Sequence, residues 1–296
     1  AGPLGSVAAA GKLMELDADA MVHALAVSAS FCSGVTECYK SGGEVKRYHG
    51  GIGAQGGIRA AALAKLGLTG PATILEGPLG LRAMSDSYTP EVITDRLGEK
   101  FVVADIWTKK YSCNGMIHAP VDGIEAIRAR RPFAAEDIER IDVGSNQHAV
   151  NEVGSIRLPK DMFGFQFSMN YALALQVVKG SNDFDAYIED NLCDPEIVAL
   201  AERIFTETDD EVQGWFPETL GARVTIRFKD GSVEEELIRD CRGSPGNPMS
   251  ALELETKARN IAGMSMGAEE FQKVIDAVRS LEAMSDARAL GDLLRG

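Results

Sequence analysis

The sequence predicts a helical domain, followed by an α+β domain and a helical tail. Residues 1–98 are rich in alanine and glycine and carry helix start and stop signals in succession. From residue 101 onward, apolar residues at helical spacing are mixed with strand-like alternation. The dipeptide Asp230-Gly231 lies between two alternating stretches, which is a strong sequence signal for a β-hairpin.

The first hundred residues contain signals for four helices. Asp17 is a suitable N-cap for the second helix, and Gly34 and Gly67 are suitable terminators. Helices with such small side chains can approach one another closely, so we expect part of a bundle. The predicted helices are Ser6–Leu16, Ala18–Ser33, a third that is opened by the stretch Gly50–Gly57 and runs to Leu66, and a short one started by Thr89 and Pro90.

The rest of the chain mixes strands with helices. A linker with two prolines separates this α+β part from the helical tail. The predicted elements are a strand-like Phe101–Trp107, a helix carrying Ile117, Val121, Ile124 and Ile127, a strand Arg140–His148, a helix Met169–Val178 capped by Gly180, a helix from Asp194 and Pro195 to Phe205, hairpin strands Ala222–Phe228 and Ser232–Ile238, the linker at 243–248, and a tail helix opened by the capping box of Ser250 and Glu253.

Composition and charge limit the classes of function. With 44 acidic and 30 basic residues, the chain has a formal net charge of −14, so we expect no nucleic-acid partner. No apolar stretch reaches the roughly 18 residues of a membrane helix, and no signal peptide is recognisable. The five cysteines are scattered and never spaced as CxxC, which favours a reducing, cytoplasmic location and no structural zinc. An anionic substrate would need a local cationic pocket.

The first candidate site lies at Lys46-Arg47-Tyr48-His49, followed by glycines. A helix that begins here could bind a carboxylate through its free N–H groups, with Lys46 or His49 placed for proton transfer. The alternative is a solvated basic turn whose glycines serve tight packing. The stretch 51–56 also matches GxGxxG, but polar residues precede it instead of an apolar strand, so a nucleotide site is only a distant third possibility.

The second candidate site is Lys109-Lys110-Tyr111-Ser112-Cys113-Asn114, with His118 and Asp122 after it. His118 and Asp122 are four residues apart on one helical face, so Asp122 could orient the imidazole. The alternative is a surface pair without catalytic role. Cys113 is expected to be buried and inert, and no spacing predicts a metal site.

Several segments together resemble the MmgE/PrpD family, which includes 2-methylcitrate dehydratase, cis-aconitate decarboxylase and iminodisuccinate epimerase. Five ordered motifs spread over most of the chain carry the resemblance. They are Lys46–Gly51 leading into Ala60–Gly67, the turns Thr69-Gly70-Pro71 and Leu75-Glu76-Gly77, Lys109 followed by His118 and Asp122, the helix Phe167–Ala174, and the linker residues Gly243, Pro245, Asn247 and Pro248.

The resemblance implies a helical domain at 1–100, a smaller α+β lid at 101–245, and C-terminal helices at 246–296 that return to the helical domain. It also implies a homodimer that needs no metal or organic cofactor, with an active site between the domains. Lys46 and Lys109 match the lysines of the family's site. Asn114 stands where the decarboxylase branch has a proton-donating histidine, which argues against decarboxylation. The family's further Asp and His residues, from its N-terminal third, have no counterpart in this sequence.

We therefore expect a lyase, a dehydratase of a small polycarboxylate such as 2-methylcitrate, that removes a proton next to a carboxylate. The expected catalytic residues are Lys46, His49, Lys109, His118 and Asp122, and the expected substrate-binding residues are Arg47, Gly51, Lys110 and Asn114. The alternatives are an epimerase or isomerase of a small dicarboxylate, which shares the first step, and a non-catalytic subunit that pairs with a second chain supplying further helices.

Overall fold

The computed structural model describes residues 2–35, 37–38, 42–81 and 91–295. Contacts between residues divide the chain into two compact units, 1–104 and 105–296. The first unit is helical and the second combines helices with one small sheet, so the predicted fold class is confirmed. Thr89 and Pro90 lie outside the described residues.

The first unit is built on three helices that share a core of small side chains. Helix α2 begins where the sequence predicts, because the Asp17 carboxylate accepts a hydrogen bond from Ala20 N at 2.8 Å. Val7, Ala24 and Ala60 are completely buried among the three helices. Among the described residues of the unit, the helices are α1 Gly2–Leu13, α2 Ala18–Ala29, α3 Val45–Lys65 and the short α4 Glu91–Thr94.

Helix α3 corrects the prediction that the glycines of 50–57 open a helix. It begins five residues earlier, at Val45, and the glycines lie inside it. Gly53 and Gly57 serve close packing against α1. A methyl group at Gly57 would lie 2.0 Å from Ser6 Oγ and 2.4 Å from the Val7 nitrogen. Ser6 Oγ also donates a hydrogen bond to the Gly53 carbonyl at 2.8 Å, so the two helix backbones nearly touch.

The second unit contains a four-stranded sheet in the order β2-β1-β3-β4. Strand β1 pairs parallel to β2 and antiparallel to β3, and β3 and β4 form the predicted hairpin. The strands are β1 Ile138–Ser145, β2 Ile204–Thr208, β3 Ala222–Phe228 and β4 Val233–Ile238. The helices are α5 His118–Arg130, α6 Gln147–Glu152, α7 Met162–Phe167, α8 Met169–Lys179, α9 Glu189–Leu192, α10 Pro195–Ala201, α11 Asp210–Trp215, α12 Ala251–Ala262, α13 Ala268–Arg279 and α14 Arg288–Leu293.

Three elements predicted after residue 100 differ from the structure. The predicted strand Arg140–His148 ends at Ser145, and His148 lies in α6. The predicted helix from Asp194 to Phe205 ends at Ala201, because Ile204 is buried as the first residue of β2, opposite Ile141. The predicted strand 101–107 contains a 3₁₀ turn, Val102–Asp105, instead. It pairs with no strand among the described residues, so an extended backbone would gain no ladder hydrogen bonds there.

Helix α5 lies against the antiparallel part of the sheet and precedes it in the chain. A methyl group at Gly123 would lie 2.7 Å from the Val224 side chain, so the helix sits close to β3. The predicted apolar stripe of α5 is confirmed, since Ile117, Val121 and Ile124 are fully buried. This packing fixes the N-terminal end of α5, where the second candidate site lies. In the described ranges, no helix is both long enough and apolar enough to cross a membrane.

The packing of α1 on α3 predicts opposite effects for two glycines of one helix. Gly57→Ala should lower the free energy of unfolding by about 1–3 kcal/mol, because the new methyl overpacks the contact with Ser6 and Val7. Gly50→Ala should be neutral or stabilise by up to about 1 kcal/mol, since nothing lies within 4 Å and alanine favours a helix. Urea denaturation of both variants checks this, and equal stability for the two would contradict it.

Candidate active site

The segment 109–114 approaches α5 as a loop that is tied down on three sides. Its neighbour Thr108 donates its N–H to the Gly243 carbonyl at 2.8 Å. Within the loop, the Ser112 and Asn114 N–H groups donate to the carbonyls of Asn182 and Gln166, each at 2.9 Å. The backbone of the candidate site is therefore held by parts of the chain that lie far away in sequence, which favours a fixed geometry.

The linker at 243–248 takes part in this support. Gly243 has a φ of +96°, a conformation that favours glycine, and a methyl group there would lie 1.9 Å from the Thr108 carbonyl oxygen. The Gly243 N–H donates a hydrogen bond to the Asn247 carbonyl at 2.8 Å. The segment is thus a tight turn that packs on the beginning of the 109–114 loop.

The carboxylate of Asp122 is the centre of a hydrogen-bond network. Its Oδ1 accepts from the Tyr111 hydroxyl at 2.6 Å, and its Oδ2 accepts from the Arg242 N–H at 2.6 Å. Lys110 Nζ donates to the same hydroxyl at 2.7 Å and lies 3.5 Å from Asp122 Oδ1. Burial and then the Asp122 charge raise the pKa of Tyr111, so its hydroxyl stays protonated as a donor. Asp122 therefore binds Tyr111, and the predicted direct pairing with His118 is replaced by this bond.

His118 is almost completely buried, at 1% exposure. Its ring meets the Tyr111 ring edge-on, with centroids 5.3 Å apart, and its Nε2 has no hydrogen-bond partner among the described residues. Burial, followed by the charges of Lys109 and Lys257, lowers the pKa of His118 to about 3. The imidazole is therefore neutral at physiological pH, and its Nε2 is buried without a hydrogen-bond partner among the described residues.

Two lysines lie close to this histidine. Lys109 Nζ donates to the Cys113 carbonyl at 2.9 Å, and Lys257, on helix α12, donates to the Lys109 carbonyl. The Lys109 side chain keeps solvent access, yet desolvation of its ammonium lowers its pKa. Burial raises the pKa of the Cys113 thiol to about 12, so this cysteine is protonated and unsuited to nucleophilic attack, as the sequence suggested.

Asn114 and Lys110 have structural partners as well as a place near the site. Asn114 Oδ1 accepts from the Met116 N–H at 3.0 Å and so caps the turn that leads into α5. Lys110 is committed to Tyr111 and Asp122 in the network described above. In the described part of the chain, no three His, Cys, Asp or Glu residues form a group that could hold a metal ion.

The other four candidate residues lie in the first turns of α3. Lys46 and His49 are half-buried, whereas Arg47 and Gly51 are exposed. Arg47 pairs with Glu44 at 2.7 Å. A methyl group at Gly34 would lie 3.5 Å from Nδ1 of His49, so the imidazole packs beside that glycine. The structure brings these residues together within the first unit, and Lys109, Lys110, Asn114, His118 and Asp122 within the second. The convergence of the two groups on one substrate stays a prediction.

Sequence reasoning missed several residues that build the second group. Tyr187 donates to Asn182 Oδ1 at 2.6 Å, and Asn182 in turn holds the 109–114 loop. Lys257 comes from 148 residues further along the chain. Tyr111 directly follows the two lysines of the motif, but nothing in the sequence marks it as the partner of Asp122. Asn182, Tyr187 and Lys257 carried no local signal of a role in the site.

The buried neutral imidazole predicts a pH-dependent stability. Below pH ~6.5 the unfolded chain takes up a proton at His118 that the folded chain does not take up until its pKa of about 3, so acidification favours unfolding. Between pH ~6.5 and ~5 this residue should lower the free energy of unfolding by about 1–2 kcal/mol. His118→Gln should remove that part of the pH dependence, whatever its effect on stability at neutral pH. Urea denaturation at several pH values measures it.

The matched control is His148→Gln, since His148 is exposed and lies on helix α6. Its pH profile should follow that of the wild type through the same window. The pH window from ~6.5 to ~5 lies above the range in which paired carboxylates such as Glu253 titrate, so these carboxylates contribute little to the slope. An unchanged slope for His118→Gln would contradict a neutral buried imidazole.

Known proteins match both units of this chain. The family model of the MmgE/PrpD N-terminal domain matches residues 1–92, and that of the MmgE/PrpD C-terminal domain matches residues 111–283. A cis-aconitate decarboxylase of Aspergillus terreus (strain NIH 2624 / FGSC A1156) is 28% identical over 316 residues, covering 99% of this chain and 62% of the relative. The cis-aconitate decarboxylase of Mus musculus is 26% identical over 305 residues, covering 100% and 61%, and that of Homo sapiens is 25% identical over 303 residues, covering 100% and 62%.

This chain thus spans less than two thirds of the length of these relatives. The two family models nevertheless cover most of its own length and follow one another in the order of the two units. The motifs around Lys46 and Lys109 each fall within, or directly beside, one of the matched segments. The chain belongs to the MmgE/PrpD family.

Proposed function

We propose that this chain supplies part of the active site of a cofactor-independent lyase, which removes a proton next to a carboxylate of a small polycarboxylate. The observation that carries the proposal is the pair of cations Lys109 and Lys257 beside His118, in a chain whose net charge is −14. An anionic substrate is repelled by most of such a surface and needs a local concentration of positive charge.

The lysines fit the electrostatic demand of this chemistry. A proton next to a carboxylate is weakly acidic, so the negative charge that develops on the substrate must be stabilised by groups already in place. The Lys109 ammonium is oriented by the Cys113 carbonyl and is partly stripped of water, which strengthens its interaction with an anion. Lys46, from the first unit, would bind a second carboxylate of the same substrate.

A histidine is the proposed carrier of the proton. His118 offers a neutral ring with an unpartnered Nε2, and bound carboxylates would raise its pKa because they offset the charges of Lys109 and Lys257. His49 is the alternative carrier, from the half-buried start of α3. Asp122 acts on His118 through the Tyr111 ring and not by a direct hydrogen bond.

Decarboxylation is a second candidate, because the relatives above are named cis-aconitate decarboxylases. Asn114, where the decarboxylase branch has a histidine, favours dehydration or epimerisation instead. The polar groups of Asn114 in the structure are used in part to cap the turn before α5. The working unit in this proposal is a homodimer, or a pair with a second chain that adds further helices.

Product analysis separates these reactions. We expect ligands to raise the thermal transition in a screen of 2-methylcitrate, cis-aconitate and iminodisuccinate, because binding to the folded state stabilises it. With the stabilising compound, formation of an alkene indicates dehydration, release of CO₂ indicates decarboxylation, and exchange of a proton with solvent D₂O alone indicates epimerisation. Absence of both stabilisation and turnover for all three compounds, with the oligomer intact, would favour the non-catalytic subunit.

The two motif lysines give a sharper test. Lys46→Ala and Lys109→Ala should each lower turnover at least about a hundredfold, since each removes charge stabilisation that is needed in the transition state. Their thermal transitions should stay close to that of the wild type. Lys273→Ala is the matched control, because Lys273 is exposed on α13, and it should keep full turnover. Wild-type rates in both motif variants would refute the proposal.

A further inference from the structure

Lys257 on helix α12 contacts the second group of site residues, which lies around Lys109 and His118. The ammonium of Lys257 donates a hydrogen bond to the backbone carbonyl of Lys109, across 148 residues of sequence. The ammonium of Lys109 itself bonds the Cys113 carbonyl at 2.9 Å. The residue that the proposed function depends on is therefore held twice, once through its main chain and once through its side chain.

The titratable groups that interact around these two ammonium groups come from four parts of the unit. Lys109 and Cys113 belong to the loop, His118 to α5, Lys257 to α12 and Asp183 to the segment after α8. Burial and the charge of Lys109 lower the pKa of Lys257, while Asp183 raises it. Both lysine charges act on His118 as well. The three basic residues thus interact as one electrostatic group.

We propose that Lys257 is a positioning residue that fixes the backbone of Lys109 and, by its charge, sets the electrostatic environment of the Lys109 ammonium and of His118. The inference rests on the proposed function, in which Lys109 binds and stabilises the anionic substrate. It adds a residue from the C-terminal part of the chain to the machinery of the site. No direct contact between Lys257 and substrate is required.

A simpler role would be that Lys257 only attaches α12 to the rest of the unit. The start of α12 is already attached without it, because the Arg242 guanidinium pairs with Glu253 and the Ser250–Glu253 capping box closes the first turn. Lys257 also lines an open cleft together with Ser112 and Asn260, so replacing it with a side chain of similar length leaves no buried cavity. An attachment role alone would leave the reactivity of Lys109 unchanged.

The test compares Lys257→Met, Lys257→Gln and Lys257→Arg with the matched control Lys273→Met on the exposed face of α13. Two measurements need no substrate: hydrogen–deuterium exchange of the peptide covering 108–114, and the pH midpoint for acetylation of Lys109, followed by mass spectrometry. The third measurement is the turnover of whichever polycarboxylate the screen above identifies as a substrate, with kcat and KM determined separately across pH.

Loss of the bond and of the charge should loosen the loop and make Lys109 easier to protonate. In Lys257→Met and Lys257→Gln we expect exchange at 108–114 to rise about tenfold or more, and acetylation of Lys109 at a fixed pH to fall about threefold, as a half-unit rise of its pKa would produce. The kcat should fall and its pH profile should shift. Lys257→Arg should restore all three, and Lys273→Met should change none.

Unchanged exchange and unchanged Lys109 acetylation in both neutral variants would overturn the positioning role, whatever happens to turnover. The role would equally be overturned if Lys257→Arg behaved like Lys257→Met, since charge and donor would then be irrelevant. If the wild type turns over no polycarboxylate, the proposed function fails, but the two substrate-free measurements still decide the relation between Lys257 and Lys109. The arginine variant also covers the case in which the neutral variants fail to fold.

Discussion

The carboxylate of Asp122 joins three stretches of the second unit that are far apart in sequence. It lies on α5, accepts from the Tyr111 hydroxyl of the loop, and accepts from the N–H of Arg242 in the segment after the hairpin. A carboxylate that is mostly withdrawn from water must be satisfied in this way, because an unpaired buried charge is strongly unfavourable. The Arg242 side chain continues the connection to Glu253 at the start of α12. Asp122 thus helps, through Arg242 and Glu253, to position helix α12, whose Lys257 contacts Lys109.

The electrostatics of the site follow from the same arrangement. Two ammonium groups are kept close together by backbone carbonyls that accept from them, since lysine donates hydrogen bonds and accepts none. A protonated His118 would add a third positive charge in a place without solvent, and the low pKa of His118 shows that the fold avoids it. The lysines therefore supply the charge and the imidazole supplies a neutral ring. This division suits the proposed chemistry, in which stabilising an anion and moving a proton are separate tasks.

Local signals in the sequence predicted local structure well. The caps at Asp17 and Asp194, the capping box of Ser250 with Glu253, and the hairpin at Asp230-Gly231 are all present, because the partners in each lie within a few residues. Predictions failed where the deciding partner is distant. Strand β2 forms because β1 lies beside it, some sixty residues earlier in the chain. Local sequence signals alone predict that helix α10 continues to Phe205, into the residues that form β2. Asp122 has the four-residue spacing to His118, yet its Oδ1 accepts a hydrogen bond from the Tyr111 hydroxyl of the preceding loop instead.

The register of α3 bears on the two interpretations of the first motif. A solvated basic turn would expose all of its polar residues to a similar extent. Arg47 and Tyr48 are exposed, but Lys46 and His49 are half-buried. They lie about two helical turns and one helical turn, respectively, before Gly53, the first of the packed glycines. They therefore continue the inward stripe of the helix towards its N-terminus. Gly53 and Gly57 serve packing, as the alternative interpretation held, but a fully solvated turn does not account for the half-buried positions of Lys46 and His49.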